Sequence, residues 1–197
     1  MNTWKSLRVL DTIYDSILGR SGSLPAGMDE HQLRRVGQAS GYSIGPRQTA
    51  LQATYDVCPF LDELEQKHCI QSISATEDFL QRLQQWSKAL PAELRQSTQA
   101  EALVSTTTDR ELLIGGTHVA CTYYFAVILA TRRFLTLYLL DQLKERSPTS
   151  LEAPAQQLDE KTSSLAFVCL NAAISLTEAV SNVIMNDSAL RNMCLVK

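Results

Sequence analysis

Two long apolar segments constrain the fold of this chain more than any other feature. Residues 109–143 and 162–185 are rich in Leu, Ala, Val and Ile, and each is far longer than an ordinary strand. A helix that is apolar on most of its sides must be covered, either by other helices or by lipid. No alternation of apolar and polar residues bounded by hairpin turns occurs elsewhere. We therefore predict an all-α protein, a single helical domain of six or seven helices packed around these two long helices.

The first long segment also has to be considered as a membrane span. Residues 112–130 contain no charged side chain and are long enough to cross a bilayer. The segment holds several small or polar residues, however, among them Gly115, Gly116 and His118, and Arg132 and Arg133 interrupt the apolar run that follows. Such residues make insertion unfavourable. We therefore predict a buried helix at the centre of a bundle, with no membrane association, and keep a single span as the alternative.

The amino-terminal residues predict an amphipathic helix and then a loop. Apolar side chains recur at helical spacing over residues 3–18, at Trp4, Leu7, Leu10, Tyr14, Ile17 and Leu18. Gly19 follows directly, where a left-handed helix cap is typical. Residues 21–45 are rich in Gly and Ser and predict a loop, with a short helical piece over 30–36. Residues 144–161, rich in Pro, Ser and Glu, predict a second loop.

Prolines and caps divide the middle of the chain. Pro46 can occupy the first turn of a helix, and Pro59 is predicted to separate that helix from the next. Ser74 and Glu77 form a Ser-x-x-Glu pattern, which predicts a helix start. Pro91 is expected to end this helix by moving Leu90 out of the α region.

Charge and cysteine content argue against nucleic-acid and zinc binding. The net charge is −3, and basic residues cluster only as the pairs Arg34-Arg35 and Arg132-Arg133, so direct nucleic-acid binding is not expected. The five cysteines lack the short spacings of a zinc site; they are Cys58, Cys69, Cys121, Cys169 and Cys194. We predict reduced, mostly buried thiols and no metal or other cofactor.

No motif supports catalysis. Glu65 and His68 form one Glu-x-x-His pair, whereas a di-iron bundle needs two. Residues 19–23 nearly match a nucleophile elbow but lack its last glycine and follow a helix. Gly115-Gly116 has no phosphate-loop lysine, so we interpret it as close helix packing or a kink. We predict no catalytic residues and no enzyme.

His118 lies within the first long apolar segment. A histidine in an apolar helix is usually a hydrogen-bonded core residue. It could also face a ligand pocket together with Tyr123 and Tyr124. Both interpretations stay open from the sequence.

Four separated segments carry a shared pattern. The first reads Trp4-Lys5-Ser6-Leu7-Arg8-Val9-Leu10-Asp11 and is followed by Leu18-Gly19-Arg20. The second runs from Leu83 through Trp86 to Leu90-Pro91-Ala92-Glu93-Leu94. The third ends in Thr131-Arg132-Arg133-Phe134-Leu135, and the fourth is Cys169-x-x-Ala172-Ala173 with Leu176.

In order and spacing, these segments resemble the fungal-specific transcription factor domain, the middle homology region of fungal binuclear zinc-cluster transcription factors. The family has Leu-Gly-Arg-Pro, Leu-x-x-Trp, His-Arg-Pro-Phe-Leu and Cys-x-x-Ala-Ala at the corresponding places. Ser21 and Arg133 stand here where the family has proline. The resemblance covers nearly all of residues 1–197 and matches the carboxyl-terminal portion of the family's domain. The family's six-cysteine zinc cluster is absent from this chain.

The resemblance implies a regulatory region, which acts in transcription through protein contacts or by sensing a small-molecule effector. Its partners would be a second copy of the chain or a full-length transcription factor. Its location would be nuclear, and otherwise cytoplasmic. Trp4 and Trp86 are expected to be core anchors, Asp11 a local hydrogen-bond partner and Gly19 a helix cap. The alternative is a stand-alone helical protein that binds a small molecule or serves as a scaffold.

Overall fold

The protein is built from helices alone in the residues that its structure, a computed structural model, describes: 2–18, 45–66, 72–96, 107–145 and 160–186. The helices are α1 (Asn2–Leu18), α2 (Pro46–Gln66), α3 (Ile73–Ala89), α4 (Ala92–Gln96), α5 (Thr107–Glu145) and α6 (Glu160–Asn186). The all-α fold with two long apolar helices is therefore confirmed. Most of the two predicted loops lies outside the described residues, and so do the helical piece over 30–36 and Gly19. The exceptions are Gly45, which directly precedes α2, and the two ends of the second loop, which belong to α5 and α6.

The helix α5 lies at the centre. Four helices contact it, namely α2, α3, α4 and α6, while α1 packs on α2. Buried α5 side chains extend from Leu113 to Phe134 and face different neighbours. The prediction of a buried central helix therefore holds for α5 between Leu113 and Phe134. The last turns of α5 differ, because Leu137, Leu139, Leu140 and Leu143 are exposed.

The main core joins four helices. It consists of Val57, Leu61, Phe79, Leu83, Ala126, Val127, Ala130 and Ala172. Fully burying one large apolar side chain of this kind stabilises a fold by about 1.5–3 kcal/mol. Two ion pairs link the same helices at the surface. Arg82 of α3 donates two hydrogen bonds to Glu63 of α2, at 2.9 and 2.8 Å, and Lys161 of α6 lies 3.1 Å from Glu77 of α3.

Small residues allow α2 to approach α5 closely. A second core cluster contains Ala50, Ala53, Leu94 and Val119, with α4 closing it. A Cβ atom added to Gly115 would lie 2.5 Å from the Cβ of Ala50, closer than real Cβ atoms come. Of the two interpretations of the glycine pair, close packing therefore applies at Gly115, and α5 continues as one helix past it.

Two predicted helix boundaries were wrong. The helix α2 continues through Pro59, although an interior proline costs about 3 kcal/mol. The ring is exposed, and Val57, Cys58 and Leu61 are buried on both sides of it, which favours one continuous helix. The helix α3 begins after Ser72, whose side chain accepts a 3.1 Å hydrogen bond from the N–H of Ala75, so the predicted start at Ser74 was two residues late.

The predicted end of α3 is confirmed. Leu90 has φ −63° and ψ 148°, which is extended backbone, and Pro91 follows it. The N–H of Leu90 still donates a hydrogen bond to the carbonyl of Ser87, at 3.4 Å. The chain thus turns at once into α4, whose Leu94 is buried against α2 and α5.

The contact at Gly115 predicts a sharp stability effect. Gly115→Ala should destabilise the protein by about 1–3 kcal/mol, because the new methyl group overlaps that of Ala50. Urea unfolding followed by circular dichroism measures this. Ala50→Gly should be destabilising alone but should recover stability in the Gly115→Ala background.

The control is Gly45→Ala. A Cβ atom at Gly45 meets nothing within 4 Å, so we expect a change below about 1 kcal/mol. Equal losses of unfolding free energy in Gly45→Ala and Gly115→Ala would contradict the contact. Strictly additive effects of Gly115→Ala and Ala50→Gly in the double variant would contradict it as well.

Candidate functional site

The helix α1 turns its apolar face outward. Its buried positions are Val9 together with the polar residues Thr12, Asp15 and Ser16. Its exposed positions are apolar: Leu7, Leu10, Tyr14, Ile17 and Leu18 are 51 to 64% exposed. This is the reverse of the usual arrangement, in which the apolar stripe faces the core. We call Leu7, Leu10, Tyr14 and Ile17 the α1 stripe; their spacing of three, four and three residues places them along one line of the helix.

Polar contacts hold α1 on α2. The Nη2 of Arg8 lies 2.7 Å from Oδ2 of Asp62, and the Nζ of Lys5 donates to Oε1 of Gln52. Arg8 also lies 4.0 Å from Asp11 within α1, as an ion pair that is too long for a hydrogen bond. Both basic residues of α1 are therefore engaged on the α2 side, away from the α1 stripe.

A thiol and a hydroxyl are buried in the same interface. Burial raises the pKa of the Cys58 thiol to about 11, and the nearby Thr12 side chain opposes part of this rise. The thiol lies 3.9 Å from the carbonyl oxygen of Thr54. The Thr12 hydroxyl is buried and has no hydrogen bond of ordinary geometry among the described residues. The interface thus keeps Cys58 protonated and unreactive, as expected of a buried structural cysteine.

An open cleft lies between α1, α2 and α5. Its volume is about 690 Å³, within the roughly 300–1,000 Å³ of small-molecule sites. Its lining is Ser6, Val9, Leu10, Arg47, Ala50, Leu51, Thr54, Glu111, Ile114, Gly115 and His118. Most of this surface is apolar, and the charged side chains of Arg47 and Glu111 belong to exposed residues. Leu10 belongs both to this cleft and to the α1 stripe.

The structure brings one of the three residues of the predicted pocket to the cleft. His118 lines the cleft, and it is exposed, so it is not a core histidine. Tyr123 and Tyr124 lie elsewhere: Tyr123 stacks on Trp86 with 6.5 Å between ring centroids and meets Tyr124 edge-on at 5.3 Å. Burial raises the pKa of Tyr123. Residues five and six positions beyond His118 point to other sides of a helix, which the spacing alone could have indicated.

The sequence missed the cleft residues on α1 and α2. Val9, Arg47 and Leu51 come from segments that are distant from His118 in the chain. On α5, the cleft residues Glu111, Ile114, Gly115 and His118 follow the spacing of one helix face. From this spacing, the α5 side of the cleft could have been predicted. The residues on α1 and α2 could not, because their position depends on how these two helices pack against α5.

The motif residues of the resemblance have structural surroundings where they are described. Trp86 is half-buried and packs against both core clusters. Phe134 is fully buried, with the guanidinium of Arg133 4.7 Å from its ring centre, while Pro91 and Arg132 are exposed. Leu10 and Leu18 are exposed on α1. The side chain of Trp4, and Gly19 and Arg20, lie outside the described residues.

Searches against protein-family models, curated proteins and solved structures each found no match. The resemblance to fungal transcription factor domains therefore stays a prediction, carried by the four segments. The searches bear on neither the fold nor the geometry of the cleft.

Metal binding and membrane insertion depend on side-chain groups and helix lengths that the described residues show. Within the described ranges, no three His, Cys, Asp or Glu side chains form a group that could hold a metal ion, and Cys58, Cys121 and Cys169 are free thiols. His68, Cys69 and Cys194 lie outside these ranges. By length and composition alone, residues 110–144 of α5 and 160–185 of α6 could each cross a membrane. The core helix of a soluble bundle passes the same test, and α5 is packed by four helices.

The Cys58 thiol predicts a pH effect on stability. An unfolded thiol ionises near about pH 8.5. The folded one ionises only at about 11, so its contribution is complete below pH 8.5 and is lost as pH rises to 11. Cys58→Ala should lower the free energy of unfolding at neutral pH. Between pH 8.5 and 11, the variant should lose up to about 3 kcal/mol less of this free energy than the wild type loses. Urea unfolding of both proteins across this range measures it; identical pH dependence would contradict a buried, neutral thiol.

Proposed function

We propose that this chain is a regulatory region of a fungal transcription factor-like protein, that it does not bind DNA itself, and that it acts through helix-mediated protein contacts. One observation carries the proposal: the α1 stripe is an ordered apolar face with no neighbour among the described residues that buries it. Contiguous exposed apolar surface of this kind commonly marks an interaction site. The resemblance of the four segments to transcription factor regulatory domains supplies the transcriptional context.

The partner that fits the α1 stripe is an amphipathic helix of another protein. Leu7, Leu10, Tyr14 and Ile17 repeat at the spacing of a helix–helix seam and extend over about 15 Å. The same surface fits a lipid bilayer less well. Interfacial membrane helices present Lys and Arg beside the apolar face, whereas Lys5 and Arg8 contact α2.

A second candidate function is small-molecule binding, which the cleft between α1, α2 and α5 favours. Three helices build it, and most of its surface is apolar, with polar side chains from Ser6, Arg47, Thr54, Glu111 and His118. This is the usual composition of a ligand site. The two candidates differ in the surface that matters, because one uses the outer side of α1 and the other the space beneath Leu10.

The first proposal predicts a change in transcription when the chain is tethered to DNA. A fusion to an unrelated DNA-binding domain should raise or lower a reporter gene. The triple variant Leu7→Gln, Tyr14→Gln, Ile17→Gln should lose most of that change, since each replaced side chain contributes about 1.5–3 kcal/mol when a partner buries it. All three residues are more than half exposed, so folding should be little affected, which thermal unfolding checks.

The matched control uses apolar residues of α5. The variant Leu137→Gln, Leu140→Gln, Leu143→Gln also removes three exposed apolar side chains, at the end of α5 opposite the cleft residues. It should keep the reporter change. A tethered wild-type chain without any effect would refute the role in transcription, and equal losses in the two variants would refute the assignment to the α1 stripe. Sedimentation velocity of the purified protein then shows whether a second copy is the partner.

A further inference from the structure

We propose that the cleft between α1, α2 and α5 binds an apolar zwitterion, an amino acid with a side chain of leucine to tryptophan size. This inference rests on the second candidate function, small-molecule binding, and is independent of the α1 stripe as a protein-binding face. Three features of the cleft carry it: its apolar walls, its length, and the pair of opposite charges at one end.

The walls offer contact area and few hydrogen bonds. Val9, Leu51 and Ile114 supply aliphatic side chains from the three helices, and Gly115 adds none. Thr54 also lines the cleft, but its hydroxyl already donates to the carbonyl of Ala50 at 3.0 Å. The O–H of Thr54 is therefore not available to donate a hydrogen bond to a ligand. A bound molecule must place an apolar part along these walls, because a polar part would lose its water without replacement.

Two opposite charges lie at one end of the cleft. The helices α2 and α5 run in the same direction, since Ala50 meets Gly115 and, further along both, Val57 and Ala126 share the main core. Arg47 lies about one turn before Ala50, and Glu111 about one turn before Gly115, so both belong to the same end. Neither side chain forms an ion pair or hydrogen bond with a residue that the structure describes.

A zwitterionic head group satisfies both charges at once. Its carboxylate can accept the two parallel N–H donors of the Arg47 guanidinium, and its ammonium can donate to Glu111. A ligand with a single charge would leave the second rim charge without a partner. An anion would also be repelled by Glu111, and a cation by Arg47. The head group with both signs is therefore the one that complements this rim.

The length of the cleft limits the apolar part. On α5, the cleft extends from Glu111 to His118, which is about 10 Å along the helix. A head group at the Arg47 and Glu111 end leaves space for a branched or aromatic side chain that reaches towards His118. A longer acyl chain would pass beyond the described lining.

The test is calorimetric titration with four probes. Phenylalanine has both charges and the ring, hydrocinnamate lacks the ammonium, phenethylamine lacks the carboxylate, and glycine lacks the ring. Phenylalanine should bind at least about tenfold more tightly than each of the other three, as expected for one charge-assisted hydrogen bond or one buried ring.

Two variants assign the charges. Arg47→Gln should weaken phenylalanine binding about tenfold or more and leave phenethylamine binding unchanged or stronger. Glu111→Gln should weaken phenylalanine binding similarly and leave hydrocinnamate binding unchanged or stronger. Lys144→Gln is the control, since this exposed lysine is at the other end of α5, and it should change no affinity.

Each remaining outcome is decisive. If hydrocinnamate or phenethylamine binds as tightly as phenylalanine, the cleft takes apolar small molecules but the zwitterion is wrong. If none of the three ring-containing probes binds more tightly than glycine, both the zwitterion and the small-molecule function are overturned. If phenylalanine binding does not change in Arg47→Gln and Glu111→Gln, the site lies elsewhere.

Discussion

The whole arrangement depends on the need to cover α5. This helix is apolar around its circumference, so no single neighbour can remove its surface from water. Four helices share the task, and the main core lies where α2, α3 and α6 meet it. The Gly115–Ala50 contact lets α2 approach closely enough for Ala53 and Val119 to be buried beside it. A wider separation there would open the second core cluster and widen the cleft.

The position of α1 follows from this arrangement. Once α2 covers its part of α5, α1 packs on α2, where Asp62 and Gln52 supply polar partners for Arg8 and Lys5. The polar face of α1 therefore becomes its buried face, and the apolar face is left outside. This orientation buries the Thr12 hydroxyl beside the Cys58 thiol, with no hydrogen bond of ordinary geometry among the described residues. This orientation presents the α1 stripe to the partner helix proposed above.

Helical periodicity predicted most of the fold because the strongest apolar segments are also the longest helices. Helical periodicity predicted the helix boundaries less well where tertiary packing outweighs the local preference of a single residue. Pro59 lies inside α2 since buried residues on both sides hold the helix together, and Ser72, rather than Ser74, is the cap of α3. His118 lines the cleft and Tyr123 and Tyr124 do not, because neighbours in sequence are not neighbours on a helix surface. Arg47 and Val9 could not be assigned to the cleft without knowing how three helices meet.

Leu10 connects the two proposed surfaces. It lines the cleft from α1, and it is also the second residue of the α1 stripe. A ligand in the cleft would contact Leu10 from one side, and a partner helix on the stripe would contact it from the other. Two ligands that share one side chain are not independent, because each restricts the positions available to it. Binding free energies are reciprocal: if the ligand changes the affinity for the partner by some factor, the partner changes the affinity for the ligand by the same factor. The shared residue would thus let a small molecule regulate a protein contact without any rearrangement of the buried helix α5.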